Sequence, residues 1–135
     1  MEDHKLFATL CAVFCLLLVT EVYGQINMEA FRNCIHEHSI EQETLKEIIR
    51  SGPKGRNQKC FTACAFTSFG VIKNEQISIE GCRKMVRLMH QTEEVTQKLY
   101  SIINTCEDEV ISTDTCEMAG ELVDCLFKNG VRLGE

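Results

Sequence analysis

Cysteine and histidine are the side chains here that could support covalent, redox or metal chemistry, and cysteine dominates, with nine against four histidines in 135 residues. Six of the nine, Cys34, Cys60, Cys64, Cys106, Cys116 and Cys125, are separated by 25, 3, 41, 9 and 8 residues. On a helix of 3.6 residues per turn, Cys60 and Cys64 share one face, with Cβ atoms roughly 5–6 Å apart. A disulfide needs about 3.5–4.5 Å, so each must bond another segment instead. Cys116 and Cys125 fall on opposite faces, about 13.5 Å apart along the axis, and they too need separate partners. Six cysteines allow fifteen pairings, and removing those with either excluded pair leaves ten. The chemistry is that of helices cross-linked to one another.

Nucleophilic and metal chemistry fit less well. The histidines beyond the first 24 residues are His36, His38 and His90. A Cys–His nucleophile needs a free thiolate, and Cys82 is the candidate left over. It sits in an apolar stripe that raises its pKa. Cys34-Ile-His36-Glu-His38 has the look of a metal cluster, but an oxidised Cys34 cannot ligate; His36 and His38 are expected in solvent beside Glu37 and Glu41. No glycine loop cradles phosphate, and the His beside adjacent cysteines that a phospholipase would want is missing. The expectation is a non-enzyme that needs no cofactor and no metal.

Leu6 to Val19 is apolar except for Thr9, and Val22-Tyr23-Gly24 offers small residues at the cleavage positions. This reads as a secretory signal over 1–24, cut after Gly24, although Glu2 and Asp3 offset Lys5 where a positive charge is usual. A membrane anchor is the alternative, but the stretch falls short of the ~20 residues that span a bilayer. Cys11 and Cys15 leave with the signal. What remains, 25–135, is one domain of 13 Lys+Arg and 17 Asp+Glu, a net −4 with the signs interspersed. No basic block points to nucleic acid, and no further segment to membrane insertion. An extracellular, oxidising location fits the cysteines.

Apolar residues recur at helical spacing along nearly all of 25–135. Met28, Phe31, Cys34, Ile35 and His38 form a first stripe. Ser39 with Gln42 is expected to cap a second helix bearing Leu45, Ile48 and Ile49. After Ser51-Gly52-Pro53-Lys54-Gly55, Asn57 is expected to cap a third helix that runs to Phe69, with Gly70 as terminator. Val71 to Ile77 reads as a connector with weak strand character. Ser78, Thr92 and Asp114 are expected to cap the last three helices, and the sixth to reach about Phe127 before Lys128-Asn129-Gly130. The class is all-α.

Cys-x25-Cys-x3-Cys-x41-Cys-x9-Cys-x8-Cys after a signal sequence resembles the insect odorant-binding proteins of the pheromone- and general-odorant-binding group. The stretch Cys116-Glu-Met-Ala119-Gly-Glu-Leu122-Val-Asp-Cys125 is similar to that family's last helix. The resemblance implies a compact six-helix disulfide-stapled bundle around an apolar ligand cavity, with pairs Cys34–Cys64, Cys60–Cys116 and Cys106–Cys125. It also implies a secreted carrier of small hydrophobic ligands, with a membrane receptor as a further partner. The extra Cys82 is expected as a buried free thiol in a monomer or weak dimer, with covalent dimerisation the other reading.

The expected lining comes from the last three helices: Met85, Val86, Met89, Leu99, Ile102 and Ile103, then Leu122 and Leu126, with Phe66 and Phe69 from the third. Flexible methionines at 85, 89 and 118 suit ligands of varied shape, Met118 being the one on the last helix. Thr62, Thr67 and Tyr100 could anchor a polar head, unless the threonines bond their own carbonyls. The tail, with Val131 and Leu133, is long enough to reach the mouth. The rival readings are a non-olfactory secreted protein of the same fold and a stable protein whose core is filled.

Overall fold

The computed structural model describes residues 27–132. The segment 1–24 expected as a secretory signal, with Cys11 and Cys15, and Leu133 lie outside them. Six helices appear among the described residues: α1 Met28–Glu37, α2 Gln42–Ser51, α3 Gly55–Ser68, α4 Ile79–Leu88, α5 Glu93–Glu109 and α6 Thr115–Lys128. Between α3 and α4 lies a short hairpin, β1 Ile72–Lys73 and β2 Gln76–Ile77, paired Ile72↔Ile77 and Lys73↔Gln76. Its turn residues Asn74 and Glu75 have φ of 53° and 63°, as a tight two-residue hairpin requires. The segment 71–77 is thus more ordered than the expected connector.

Three helix starts follow the expected caps. Ser78 Oγ accepts from Gly81 N–H at 3.0 Å, and Thr92 Oγ1 from Val95 N–H at 3.3 Å. Asp114 accepts from both Cys116 and Glu117 N–H. Two starts differ. Ser39 has φ 52° and cannot be an N-cap in extended backbone, so α2 starts later, after Glu41. Asn57 lies inside α3 and donates to the His38 carbonyl at 2.9 Å, joining that helix to the end of α1. The α3 terminus is closed instead by Gln58 Oε1, which accepts from Lys54 N–H at 2.8 Å. His38 also departs from expectation: its ring is half-buried, with Nδ1 3.1 Å from the Cys34 carbonyl and an edge toward Phe61.

α3 is the central element, packed on α1 by one side and most extensively on α6 by the other. Ala63 and Ala119 are buried where α3 and α6 meet, and the small side chains let the backbones approach. At Cys60 and Cys116 the Cα atoms are 4.3 Å apart. A Cβ on Gly120 would press on the Lys59 stem at 3.3 Å, so the lysine lies across the bare backbone and reaches Glu117 with its ammonium at 3.0 Å. Gly81 serves a similar close approach at the other end of the fold, where a Cβ would collide with the Gly70 carbonyl oxygen.

The disulfides are Cys34–Cys64, Cys60–Cys116 and Cys106–Cys125. They link α1 to α3, α3 to α6, and α6 to α5 in one covalent series. α2 and α4 carry no bridge. Cys82 on α4 is free, 6% exposed.

An ion-pair cluster pins the start of α6 to α3. Arg56 makes a two-pronged bond to Asp114, at 3.0 and 2.8 Å, and a longer one to Glu117. The Arg56 hydrogen bond, aided by the N-cap amides, holds the Asp114 carboxyl down to about 2. Lys59 first and Arg56 second pull Glu117 below the usual carboxylate range. A depressed folded-state pKa gives stability that is present above the unfolded value, about 3.9 for Asp, and lost as pH falls through the folded one. Arg56→Gln should therefore lower the melting temperature at pH 7, and the gap to the parent should close between about pH 4 and pH 2. A gap that stays constant down to pH 2 would show that the pair contributes nothing through ionisation.

Candidate ligand cavity

The apolar stripes of all six helices converge on one cavity of about 500 Å³. From α3 come Phe61, Thr62, Ala65 and Phe66, at the i, i+1, i+4, i+5 spacing of one helical face, and Phe69 follows just beyond. From α4 come Cys82, Met85 and Val86, with Met89 at its C-cap, again one face. Leu99 and Ile103 of α5 and Leu122 and Leu126 of α6 form the opposite wall. Leu45, Ile48 and Ile49 of α2, with Phe31 of α1, complete it. Phe31 stacks on Phe69 with ring centroids 5.3 Å apart, which ties α1 to the end of α3. Val131 and Arg132 border the cavity from the segment after α6.

Depth and mouth can be told apart by exposure. Val86, Ile103 and Leu122 are buried, whereas Ile49 is 37% and Met89 42% exposed. The cavity therefore opens between the end of α2 and the end of α4, the two helices without a disulfide. Polar atoms in the walls are few. Thr62 Oγ1 gives its proton to the Gln58 carbonyl at 2.9 Å. Burial chiefly, and Glu107 secondarily, push the Cys82 thiol up to about 11, so it is not a thiolate at neutral pH.

Two other features are weaker. A groove of about 690 Å³ between α1, the end of α3 and the start of α4 is larger, but Asn33, Glu37, Lys73, Glu80 and Lys84 line it with polar and charged groups. Glu37, His38 and Cys64 place ligand-type atoms within 4.8 Å of one another. Cys64 is tied to Cys34, and a disulfide sulfur has no thiolate to offer a metal. Among the described residues no helix is long and apolar enough to cross a membrane.

A family model described as the PBP/GOBP family matches residues 19–129. The chain belongs to the PBP/GOBP family. The match takes in every cysteine of the three bridges, and the pairing in the structure is the one the resemblance implied. Among solved structures, the odorant-binding protein dmelOBP28a from Drosophila melanogaster is similar, with a TM-score of 0.63. The likeness covers 82% of this chain and 93% of that one at 20% identity, and it supports the fold. No curated protein matches the chain.

In this PBP/GOBP chain, most residues singled out from the sequence meet at the cavity: Phe66, Phe69, Met85, Val86, Met89 and Leu99, with Ile103, Leu122, Leu126 and Thr62. Four do not. Met118 is buried in the separate cluster with Ala63, Ile72 and Ala119, because it lies on the face of α6 turned toward α3 and the hairpin. Ile102, one residue before Ile103, does not line the cavity and packs half-buried against the core cluster that holds Val86, Ile103 and Cys106. Tyr100 is turned away too, with the Arg83 guanidinium 5.4 Å above its ring. Thr67 is exposed on the polar groove and bonds the Ala63 carbonyl at 2.8 Å.

The wall that sequence reasoning missed is that of α1 and α2, with Phe31, Leu45, Ile48 and Ile49, and with it Phe61, Ala65, Val71 and the cavity-facing thiol of Cys82. The stripe Leu45, Ile48, Ile49 was the available signal. An apolar stripe has the same spacing whether it packs on a core or encloses a void.

Proposed function

We propose that this PBP/GOBP protein is a secreted carrier that takes up a small hydrophobic molecule, odorant- or pheromone-like, in extracellular fluid and releases it unchanged. The observation that carries the reading is the apolar cavity of about 500 Å³, within the range of small-molecule sites. Such a void weakens packing, and cross-links offset what a cavity costs. The name of the structurally similar Drosophila protein supports the word odorant. The side chains favour binding without chemistry, since six cysteines are oxidised and Cys82 is held as a thiol.

The test combines binding with position. An environment-sensitive naphthylamine probe should bind one per chain and be displaced by medium-chain alcohols and esters. Because Cys82 borders the cavity and burial holds it as a thiol at neutral pH, alkylation should be slow. Bound ligand should slow it further. Displacement with unchanged labelling would place the ligand elsewhere, and absence of probe binding would sink the carrier reading.

A further inference from the structure

The mouth of the cavity differs in chemistry from its interior, and the difference selects a class of ligand. Inside, no strong donor is free: the Thr62 hydroxyl proton is committed to the Gln58 carbonyl, and the Cys82 thiol donates weakly. A carboxylate or carbonyl head buried there would lose water and find no strong donor. At the mouth the apolar collar of Ile49 and Met89 gives way to Arg132. This guanidinium is held in place rather than waving in solvent. Its Nη1 donates to the Phe127 carbonyl at 3.1 Å, and its Cζ lies 4.9 Å from the centroid of the Phe127 ring. Nη2 and Nε have no acceptor among the described residues, and no carboxylate among them comes within 4.0 Å of the group. A flat cation with a fixed plane and two open donors matches the fork of a carboxylate, which it binds more strongly than it binds a neutral oxygen.

We propose that the favoured ligand is a monoanionic amphiphile, an unbranched aliphatic carboxylate, with its chain in the cavity and its head on Arg132. The inference rests on the carrier reading and narrows it. The cavity of about 500 Å³ equals the volume of about 17 water molecules at ~30 Å³ each, so it takes an aliphatic chain of up to about 17 heavy atoms. The negative net charge of the whole chain does not exclude an anion, because exposed charges beyond about 8 Å are largely screened at physiological salt.

The experiment compares dodecanoate with 1-dodecanol, both as monomers at neutral pH, by displacement of the naphthylamine probe from the parent chain and from Arg132→Gln. Dodecanoate should bind the parent about five- to tenfold more tightly than dodecanol, the modest gain of a partly exposed charge-assisted pair. Arg132→Gln should erase the preference for the acid, bringing the ratio of the two affinities to about one, and saturable binding of the probe by the variant shows that it is folded. Equal affinities in the parent, or a preference that survives the substitution, would overturn the assignment of the head to Arg132 while leaving the carrier reading intact. If neither compound displaces the probe, the carrier reading falls and this inference falls with it.

Discussion

Replacing Cys60 and Cys116 together by serine should lower stability by about 4 kcal/mol, the largest single-bridge effect in the molecule. Its partners are 56 residues apart, against 30 for Cys34–Cys64 and 19 for Cys106–Cys125. On the chain-entropy account the stabilisation grows with the logarithm of the closed loop, so the other two should contribute about 3.7 and 3.3 kcal/mol. The Cys60–Cys116 bridge also spans the α3–α6 interface, where Ala63 and Ala119 are buried, and loosening it exposes that seam. For a domain of this size the melting temperature should fall by about 15–20 °C. Thermal unfolding of the three double-serine variants under non-reducing conditions checks both the size and the order. A fall under about 5 °C, or the reverse order, would show that local packing rather than loop closure carries the stabilisation.

Enlarging Ala65 to phenylalanine should abolish most ligand binding while leaving the empty protein as stable as before or more so. Ala65 is buried on the cavity face of α3, flanked by Phe61, Thr62, Phe66 and Phe69. A ring placed there occupies roughly a third of a space that holds about 17 heavy atoms. Each methylene kept out of the cavity forfeits about 0.8 kcal/mol, so losing a few of them weakens binding at least a hundredfold. Filling a void adds contact for the empty protein, which is why the two effects carry opposite signs. Paired measurements of ligand affinity and melting temperature decide it. A parallel loss of both would mean that the site is packed core and has no room for a ligand.

The elements were legible where a side chain alone sets the backbone. Ser78, Thr92 and Asp114 each cap the next helix because the serine, threonine or aspartate oxygen reaches amides two or three residues on. Ser39 and Asn57 carry the same local signal and do otherwise, since tertiary structure puts Ser39 at positive φ and sends Asn57 to the His38 carbonyl. The disulfide pairing was legible only through family resemblance, because spacing left ten arrangements open. At the cavity, helical phase located the α4, α5 and α6 walls well. It failed at Ile102 against Ile103, where one residue of rotation decides which side chain faces the void. Nor can phase show that α2 closes the far side, or that Arg132 returns to the rim, since both depend on contacts between distant segments.

The bridges run in series through α1, α3, α6 and α5, and the cavity opens beside the two helices they omit. Persistence of the fold and access to its cavity therefore draw on different parts of the molecule. With no bridge on α2 or α4, either can shift with every covalent link and the α3–α6 seam intact. Opening of the cavity is then set by a local barrier, and survival of the fold by a global one. Substitutions along α2 and α4 should change how readily the cavity opens without altering how long the fold itself survives.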